Sequence, residues 1–444
     1  MLDAITLKNF KSFEDATLPL RPLTVLIGAN ASGKTNAIEG LQLLAWMAEG
    51  RRLGSLLSAV RDEELSLRGA LPQLCWREDD AHVTLGCRSV SSDAMTDASD
   101  GLELSLTLDV GERADGVHDF PAIVGETLTL DDKDTVLYQA TMVHDGLQRL
   151  EIRYDNDLRG GNLSIPGAHD QPVFHQLQAP GRFSERHTKA QKRIPQACRR
   201  VAEDLLRVRI LDPSPRAMRG YSHKTDVQLR TDAANLSAVL NRLCSDPAQR
   251  AQVLDFVRDV PEQDISDISF LVTERGDVMV ALYESLGGRT SRREAALLSD
   301  GTLRVLAVAA ALLSAEPGAT VVIEEIDNGV HPNRVRDLVA RVEAISRTRD
   351  LRVLVTTHNP ALLDALPLHA VPDVVLCYRD RRTGASQLTR LEDLARYPDL
   401  VASGALGQAV TRGTLQEILD DDEPEAELRA RHAAFFRDLA RESA

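Results

Sequence analysis

Apolar and polar positions alternate in several distinct rhythms along this chain. Residues 23–27, LTVLI, form an unbroken apolar run, the pattern of a strand covered on both faces. ITLKNF precedes it as a first strand, and residues 36–48 carry apolar positions at helical spacing. From about residue 80 to 165 the rhythm shortens. HVTLGC, LELSLTLDV, ETLTLD, TVLYQATMV and LQRLEIRY alternate with a period of two and are split by Asp/Gly turns, which predicts an antiparallel meander. A Pro/Gly-bearing stretch (165–181) leads to an Arg-rich helical region over about 189–209, which DPSPRAMRG ends. Helices resume over 233–259, with Leu236, Val239, Leu240 and Leu243 on one face. Asp264–Ser285 reads as a hairpin turning at Arg275-Gly276-Asp277,. Helix 302–314, strand 319–324, helix 333–347, strand 351–356 and helix 360–366 then alternate, which predicts a mostly parallel sheet,. The tail from about 420 is acidic and then helical, with Leu428, Phe435, Phe436 and Leu439 on one face.

Composition narrows the class. A chain of 444 residues is too long for one ordinary core, so two or three structural units are expected,. Hydrophobic residues at 43% and charged residues at 27% fit a water-soluble globular protein,. No apolar run approaches the ~20 residues that span a bilayer. MLDAITLKNF lacks a basic-then-apolar leader pattern, so a cytoplasmic chain with no membrane partner is expected,. Five cysteines without CxxC spacing suit reduced thiols better than a disulfide framework or zinc site,. The net charge of −15 argues against a surface coated for nucleic acid,. It hides a local excess, because residues 182–219 hold eleven Lys/Arg and four Asp/Glu. Residues 415–427 hold seven acids and no base. The basic stretch has two readings: a contact for DNA backbone or an acidic partner, or a solvated helix face.

The chemistry begins at GANASGKT, residues 28–35, placed between a buried strand and a helix. Gly-x-x-x-x-Gly-Lys-Thr in that context is a P-loop. Its backbone amides and the helix N-terminus can surround phosphate oxygens. Gly28, Asn30, Ser32, Gly33, Lys34, Thr35 and Asn36 are the expected phosphate-side residues, with Lys34 reaching the β/γ-phosphates and Thr35 ligating Mg2+,. A second element, ATVVIEEID (319–327), ends an apolar strand in two carboxylates on opposite faces,. By position Glu324 takes Mg2+ and Glu325 serves as the base for an attacking water. A third, Ser299-Asp300-Gly301 opening a helix, is either a second anion cradle, through Ser299 and Gly301, or an ordinary N-cap,. A fourth, TTHNP (356–360), puts His358 at a strand end, where it can touch phosphate or water or be structural,.

Taken jointly, KNFKSF (8–13), GANASGKT (28–35), LLSDGTLR (297–304), VVIEEIDNGVHP (321–332) and TTHNP (356–360) resemble the ABC-type ATPase heads of the SMC/RecF group, and more closely bacterial OLD-like AAA-family ATPases common in anti-phage systems. In that group these pieces are the first strand, Walker A, signature, Walker B with D-loop, and switch histidine. The resemblance implies an α/β P-loop NTPase of ABC-ATPase head type, with a mostly parallel sheet, an antiparallel β-meander and a helical insert. The implied layout is an N-terminal part of the head with the P-loop (1–50), an antiparallel part (51–180), a helical basic insert (181–262), a C-terminal part of the head (263–415), and an acidic tail with terminal helix (416–444). It implies ATP and Mg2+ as cofactors, and Glu325, His358 and Lys34 as catalytic residues. It also implies a homodimer or higher homo-oligomer in which Ser299 and Gly301 of one copy cap the ATP on the P-loop of another. Glu324-Glu325 departs from the usual Asp-Glu of the group, and the signature lacks its following Gln. No nuclease module is legible after His358, so a separately encoded effector, such as a nuclease, in phage defence or DNA maintenance is expected. Competing readings are an ABC transporter ATPase subunit, against which the long middle region and short signature count, and a non-hydrolysing nucleotide-gated scaffold.

Overall fold

The structure, a computed structural model, describes residues 1–394 apart from 63–64, 78, 92–100, 112–119, 132–134, 144–148, 157–162, 259–263, 287 and 360, together with 397 and 407. The acidic tail and terminal helix expected over 416–444 lie outside the described residues.

The chain opens with β1 (Leu2–Phe10), β2 (Phe13–Pro19) and β3 (Leu23–Ile27), then α1 (Lys34–Ala48) and α2 (Leu56–Arg61). The meander follows as β4 (His82–Ser89), β5 (Leu102–Asp109), β6 (Ala122–Leu130), β7 (Val136–Val143), β8 (Arg149–Tyr154) and β9 (Ser164–Gly167). Next come α3 (Val173–Gln176), α4 (Thr188–Leu206), β10 (Val208–Leu211), α5 (Pro215–Met218) and β11 (Ser222–His223). Helices α6 (Leu236–Leu243) and α7 (Pro247–Arg258) precede β12 (Asp264–Val272), β13 (Asp277–Leu286) and β14 (Arg289–Glu294). The last third alternates as α8 (Asp300–Ser314), β15 (Thr320–Ile323), α9 (Pro332–Thr348), β16 (Arg352–Thr357) and α10 (Ala361–Ala365), ending in β17 (Val375–Arg379) and β18 (Ser386–Arg390).

Three sheets result. β1, β2 and β4–β9 form an eight-stranded antiparallel sheet. The central sheet runs β10-β15-β16-β3-β17-β18, parallel except for β18. β11–β14 form a smaller antiparallel sheet. The central strands are apolar on both faces because both faces are covered. Leu23, Val25 and Ile27 of β3 enter one buried cluster with α6–α9. Leu26 enters the other, with α1, α4 and the eight-stranded sheet. Val321 and Ile323 divide from Val322 in the same way, as do Val353 and Val355 from Leu354, which is the period-two alternation of a strand between two cores.

Two local expectations change, and several strands appear that the apolar pattern does not mark. The helix expected to about 209 stops at Leu206, and VRIL (208–211) pairs with β15 as the edge strand of the central sheet. Its β-branched and apolar side chains satisfy β15, and that pairing overrides the amphipathic pattern preceding it. The region expected as an insert (181–262) is therefore threaded through the fold: Ala190, Ile194, Cys198, Val201 and Leu205 of α4 are buried with the eight-stranded sheet. Beyond His358 two strands, β17 and β18, complete the central sheet, and the polar edge strand β18 (SQLTR) carries no apolar rhythm that would mark it in the sequence. β2 and β14 are likewise strands that the pattern did not separate. Among the described residues no helix is long and apolar enough to cross a membrane.

Candidate functional site

Parallel register brings one end of five strands to a common edge. Leu211 lies opposite Ile323, Ile323 opposite Val355, Thr357 opposite Ile27, and Leu376 also opposite Ile27. The residues that follow, Asp212, Glu324, His358, Gly28 and Cys377, therefore gather at the carboxyl edge of the sheet, where open α/β sheets bind ligands.

The P-loop there is tightly built. A Cβ on Gly28 would lie 2.1 Å from the Cys377 carbonyl oxygen, so only glycine fits beside β17,. Gly33, with φ of 120°, starts α1, and a Cβ on it would lie 2.5 Å from Ser386 Oγ and 2.9 Å from Ser12 Oγ. Those two serines brace the loop from outside. Ser386 Oγ lies 2.8 Å from Ser12 Oγ and 2.5 Å from the Ser32 carbonyl oxygen, and Asn36 Nδ2 donates to Ser12 Oγ at 2.8 Å. Ser32 is buried and Asn30 exposed. Lys34 Nζ donates to the carbonyls of Gly28 (2.6 Å) and Ala29 (3.0 Å). Burial lowers its pKa, opposed by Cys377 and Glu325 nearby.

The two acids part company at the end of β15. Glu324 N donates to the Leu211 carbonyl at 2.9 Å, and the Glu324 side chain lines a cavity with Thr35, Glu39, Arg68 and Asp212. Burial, and then the Asp212 charge, push the Glu324 pKa up to about 7. Burial also raises Asp212, against the pull of Arg304. Thr35, Glu324 and Asp212 offer only hard oxygen donors, the set that suits Mg2+, and among the described residues no cluster of three or more His, Cys, Asp and Glu forms a separate metal site. Glu325 instead adopts φ of 47°, a left-handed conformation that costs a non-glycine residue on the order of 1 kcal/mol,. This turn is held by Glu325 N donating to Thr356 Oγ1 at 3.0 Å. It directs the carboxylate toward His358, whose Nδ1 lies 3.6 Å from Glu325 Oε1, while Asn328 Nδ2 donates to Oε2 at 3.2 Å. Thr357 Oγ1 donates to Asp327 Oδ1 at 2.8 Å, tying the loop after β15 to the end of β16.

Ser299 caps α8, its Oγ accepting from Thr302 N at 3.1 Å. Gly301 packs on the loop after β15, where a Cβ would lie 2.3 Å from the Gly329 carbonyl oxygen. Among the described residues no hydrogen bond or ion pair joins 299–301 to 28–36 within the chain. The fold thus brings Lys34, Thr35, Glu324, Glu325 and His358 to one edge and seats the Ser299–Gly301 turn on the loop after β15.

Several site residues carried no motif. Asp212 could be found only by placing β10 beside β15. Arg68 reaches the buried Glu39 (Nε to Oε1, 2.5 Å) and Asn36 Oδ1 (3.2 Å), and Lys11 pairs with the same Glu39. Arg219 closes on Asp300 at 2.5 Å. The basic stretch disperses. Arg182, Arg186, Lys189, Lys192, Arg193 and Arg199 are exposed on or beside α4, whereas Arg207 faces Glu316 at 3.7 Å and Arg219 contacts Asp300 in the turn that opens α8.

Comparison with known proteins agrees with this geometry. Residues 1–54 match the family described as "AAA ATPase domain", and residues 171–364 the family described as "AAA domain, putative AbiEii toxin, Type IV TA system". The DNA replication and repair protein RecF of Gloeobacter violaceus is 41% identical over 69 residues, 15% of this chain and 16% of that protein. An OLD nuclease of Thermus scotoductus is 43% identical over 44 residues, 10% of this chain and 8% of that protein. These matches span less than a fifth of either relative's length. Among solved structures, an SMC head bound to the C-terminal winged-helix domain of ScpA overlaps with a TM-score of 0.48 at 12% identity, covering 87% of this chain and 96% of that one. The SMC head domain from Thermotoga maritima overlaps with a TM-score of 0.40 at 12% identity, covering 88% and 98%. In its two matched segments, the first holding the P-loop and the second holding Ser299–Gly301, Glu324-Glu325 and His358, the chain is similar to AAA-family ATPase domains.

Proposed function

We propose that this protein binds ATP with Mg2+ on the P-loop and hydrolyses it, and that the nucleotide controls association of two copies. The observation that carries the reading is the convergence of Lys34, Glu324 and the Glu325–His358 pair at the carboxyl ends of β3, β15 and β16. Lys34 leaves its two carbonyl partners to contact β- and γ-phosphate oxygens, exchanging neutral acceptors for charged ones,. Thr35 and Glu324, with Asp212 beside them, hold Mg2+, which when bound neutralises phosphate charge. Glu325 accepts a proton from the attacking water. Its Thr356 and Asn328 contacts fix where the carboxylate points, and His358, with Nδ1 3.6 Å from Oε1, orients it,.

The Ser299–Gly301 turn, a capped helix N-terminus with no partner on its own P-loop, serves as the cradle for the triphosphate on a second copy,. ATP then links two heads and hydrolysis releases them. A separately encoded effector in phage defence or DNA maintenance would read this cycle. The exposed basic face of α4 supports DNA backbone as a further contact, and binding there should weaken steeply with salt,.

The test compares wild type with Lys34→Ala and Glu325→Gln. Lys34→Ala should lose ATP binding. Glu325→Gln should bind ATP, accumulate as a dimer and turn over at least ~100-fold more slowly. Near wild-type turnover in Glu325→Gln would remove the assigned base. Binding without turnover in wild type under every condition would favour the nucleotide-gated scaffold.

A further inference from the structure

The signature turn carries an acid, Asp300, where a phosphate cradle needs none. The structure supplies its counter-charge from elsewhere in the chain. Arg219, just after α5, donates through Nη2 to Asp300 Oδ1 at 2.5 Å and through Nη1 to the Leu298 carbonyl at 2.7 Å. The carbonyls of Ala295 and Ala296 lie 3.4 and 3.5 Å from the same nitrogen. One guanidinium thus grips the strand-to-helix turn along its backbone and cancels the one negative side chain in it. The pair is accessible, with the side chains 33% and 64% exposed. Arg219 also begins from the segment that leaves β10 at Asp212, beside Glu324, which ties the turn to the metal-side edge of the same chain.

We infer that Arg219 is a positioning residue that makes the Ser299–Gly301 turn competent to receive a triphosphate, by neutralising Asp300 and fixing the turn. This rests on the proposal that the turn receives the ATP of a second copy. With Arg219 the turn presents a hydroxyl, backbone amides and a helix N-terminus at zero net side-chain charge. Without it, Asp300 stands as a bare carboxylate against the incoming phosphates.

The experiment measures two quantities on the full chain: binding of a fluorescent ATP analogue, which reads the P-loop, and Mg-ATP-dependent association by sedimentation, which reads the turn. Wild type is compared with Arg219→Ala, Asp300→Asn and the double variant. Arg219→Ala should bind the analogue within about twofold of wild type. Its association should weaken about tenfold for each turn engaged. Adding Asp300→Asn to Arg219→Ala should restore most of that loss, because the unpaired charge is gone. Asp300→Asn alone, which keeps the Arg219 scaffold, should associate more tightly than wild type, since Arg219 is then an uncancelled cation.

Wild-type association of Arg219→Ala would overturn the inference and leave the dimer proposal standing. So would failure of Asp300→Asn to rescue a folded Arg219→Ala, or weaker association of Asp300→Asn alone. Wild type that binds the analogue yet never associates would overturn the dimer proposal, and the role of Arg219 with it.

Discussion

Replacing Gly301 with alanine tests the closest backbone contact at the signature. The added Cβ would meet the Gly329 carbonyl oxygen at 2.3 Å, against an ordinary contact of 3.4 Å or more, leaving it about 1.1 Å short. Neither atom belongs to a flexible side chain. The relief must come from the backbone, by moving the N-terminus of α8 away from the loop that follows β15. Overpacking of this kind costs about 1–3 kcal/mol, which should lower the thermal midpoint of a chain of 444 residues by roughly 1–3 °C,. The functional cost should be larger than the stability cost. A displacement near 1 Å in a catalytic constellation can remove on the order of 100-fold in rate, and the same loop carries Asp327 and begins at Glu325. Gly301→Ala should therefore keep analogue binding at the P-loop while losing ~10–100-fold in ATP turnover. Thermal melts and steady-state turnover on one preparation decide it. A variant with unchanged midpoint and unchanged turnover would refute both the close packing of α8 on the D-loop and the dependence of chemistry on it.

Other outcomes follow from the same geometry. Asp212→Asn removes the charge that, after burial, raises Glu324. Because Glu324 must be ionised to hold metal, the rise of Mn2+ binding with pH, centred near 7 in wild type, should move to lower pH, with weaker binding at alkaline pH; an unmoved profile would separate Asp212 from the metal. Ser386→Ala removes a brace of the Ser32 carbonyl and Ser12, and should weaken analogue binding by about tenfold at unchanged turnover per bound nucleotide. Glu126 is fully buried, accepts from Tyr138 and from the amides of Val173 and Phe174, and is pushed by burial from 4.5 up to about 7. Its folded pKa lies above its unfolded one, so its contribution to stability is full below pH 4.5 and is lost between 4.5 and about 7, by about 3 kcal/mol in all,. Glu126→Gln should flatten thermal midpoint against pH over that window while lowering stability at pH 5, where one amide donor now meets another; a slope equal to wild type would assign the pH dependence elsewhere.

Each piece of chemistry that could be read from the chain lies within a few consecutive residues: the P-loop, the two acids closing β15, the capped turn before α8 and the histidine closing β16. Local order suffices there, because a strand end, a glycine turn and a helix N-terminus are set by neighbouring side chains and by backbone geometry. The period-two rhythm of the meander and the continuous apolar runs of β3, β15 and β16 were legible for the same reason, since burial on one face or two leaves its mark in each segment.

Pairing across the sequence left no such mark. Ser386 meets Ser12 across 374 positions, and Arg219 meets Asp300 across 81. VRIL became a strand only because β15 offered a partner, and only that pairing set Asp212 beside Glu324. The basic stretch looked continuous on paper, yet folding put Arg219 against Asp300, Arg207 against Glu316, Arg209 on β10 and Arg216 on α5, and left only part of it on or beside α4. Side-chain identity and short-range periodicity specified what each segment could do. Which charges cancel, and which carboxylates share a cavity, depended on strand order and register, which arise from burying two cores on opposite faces of one sheet,.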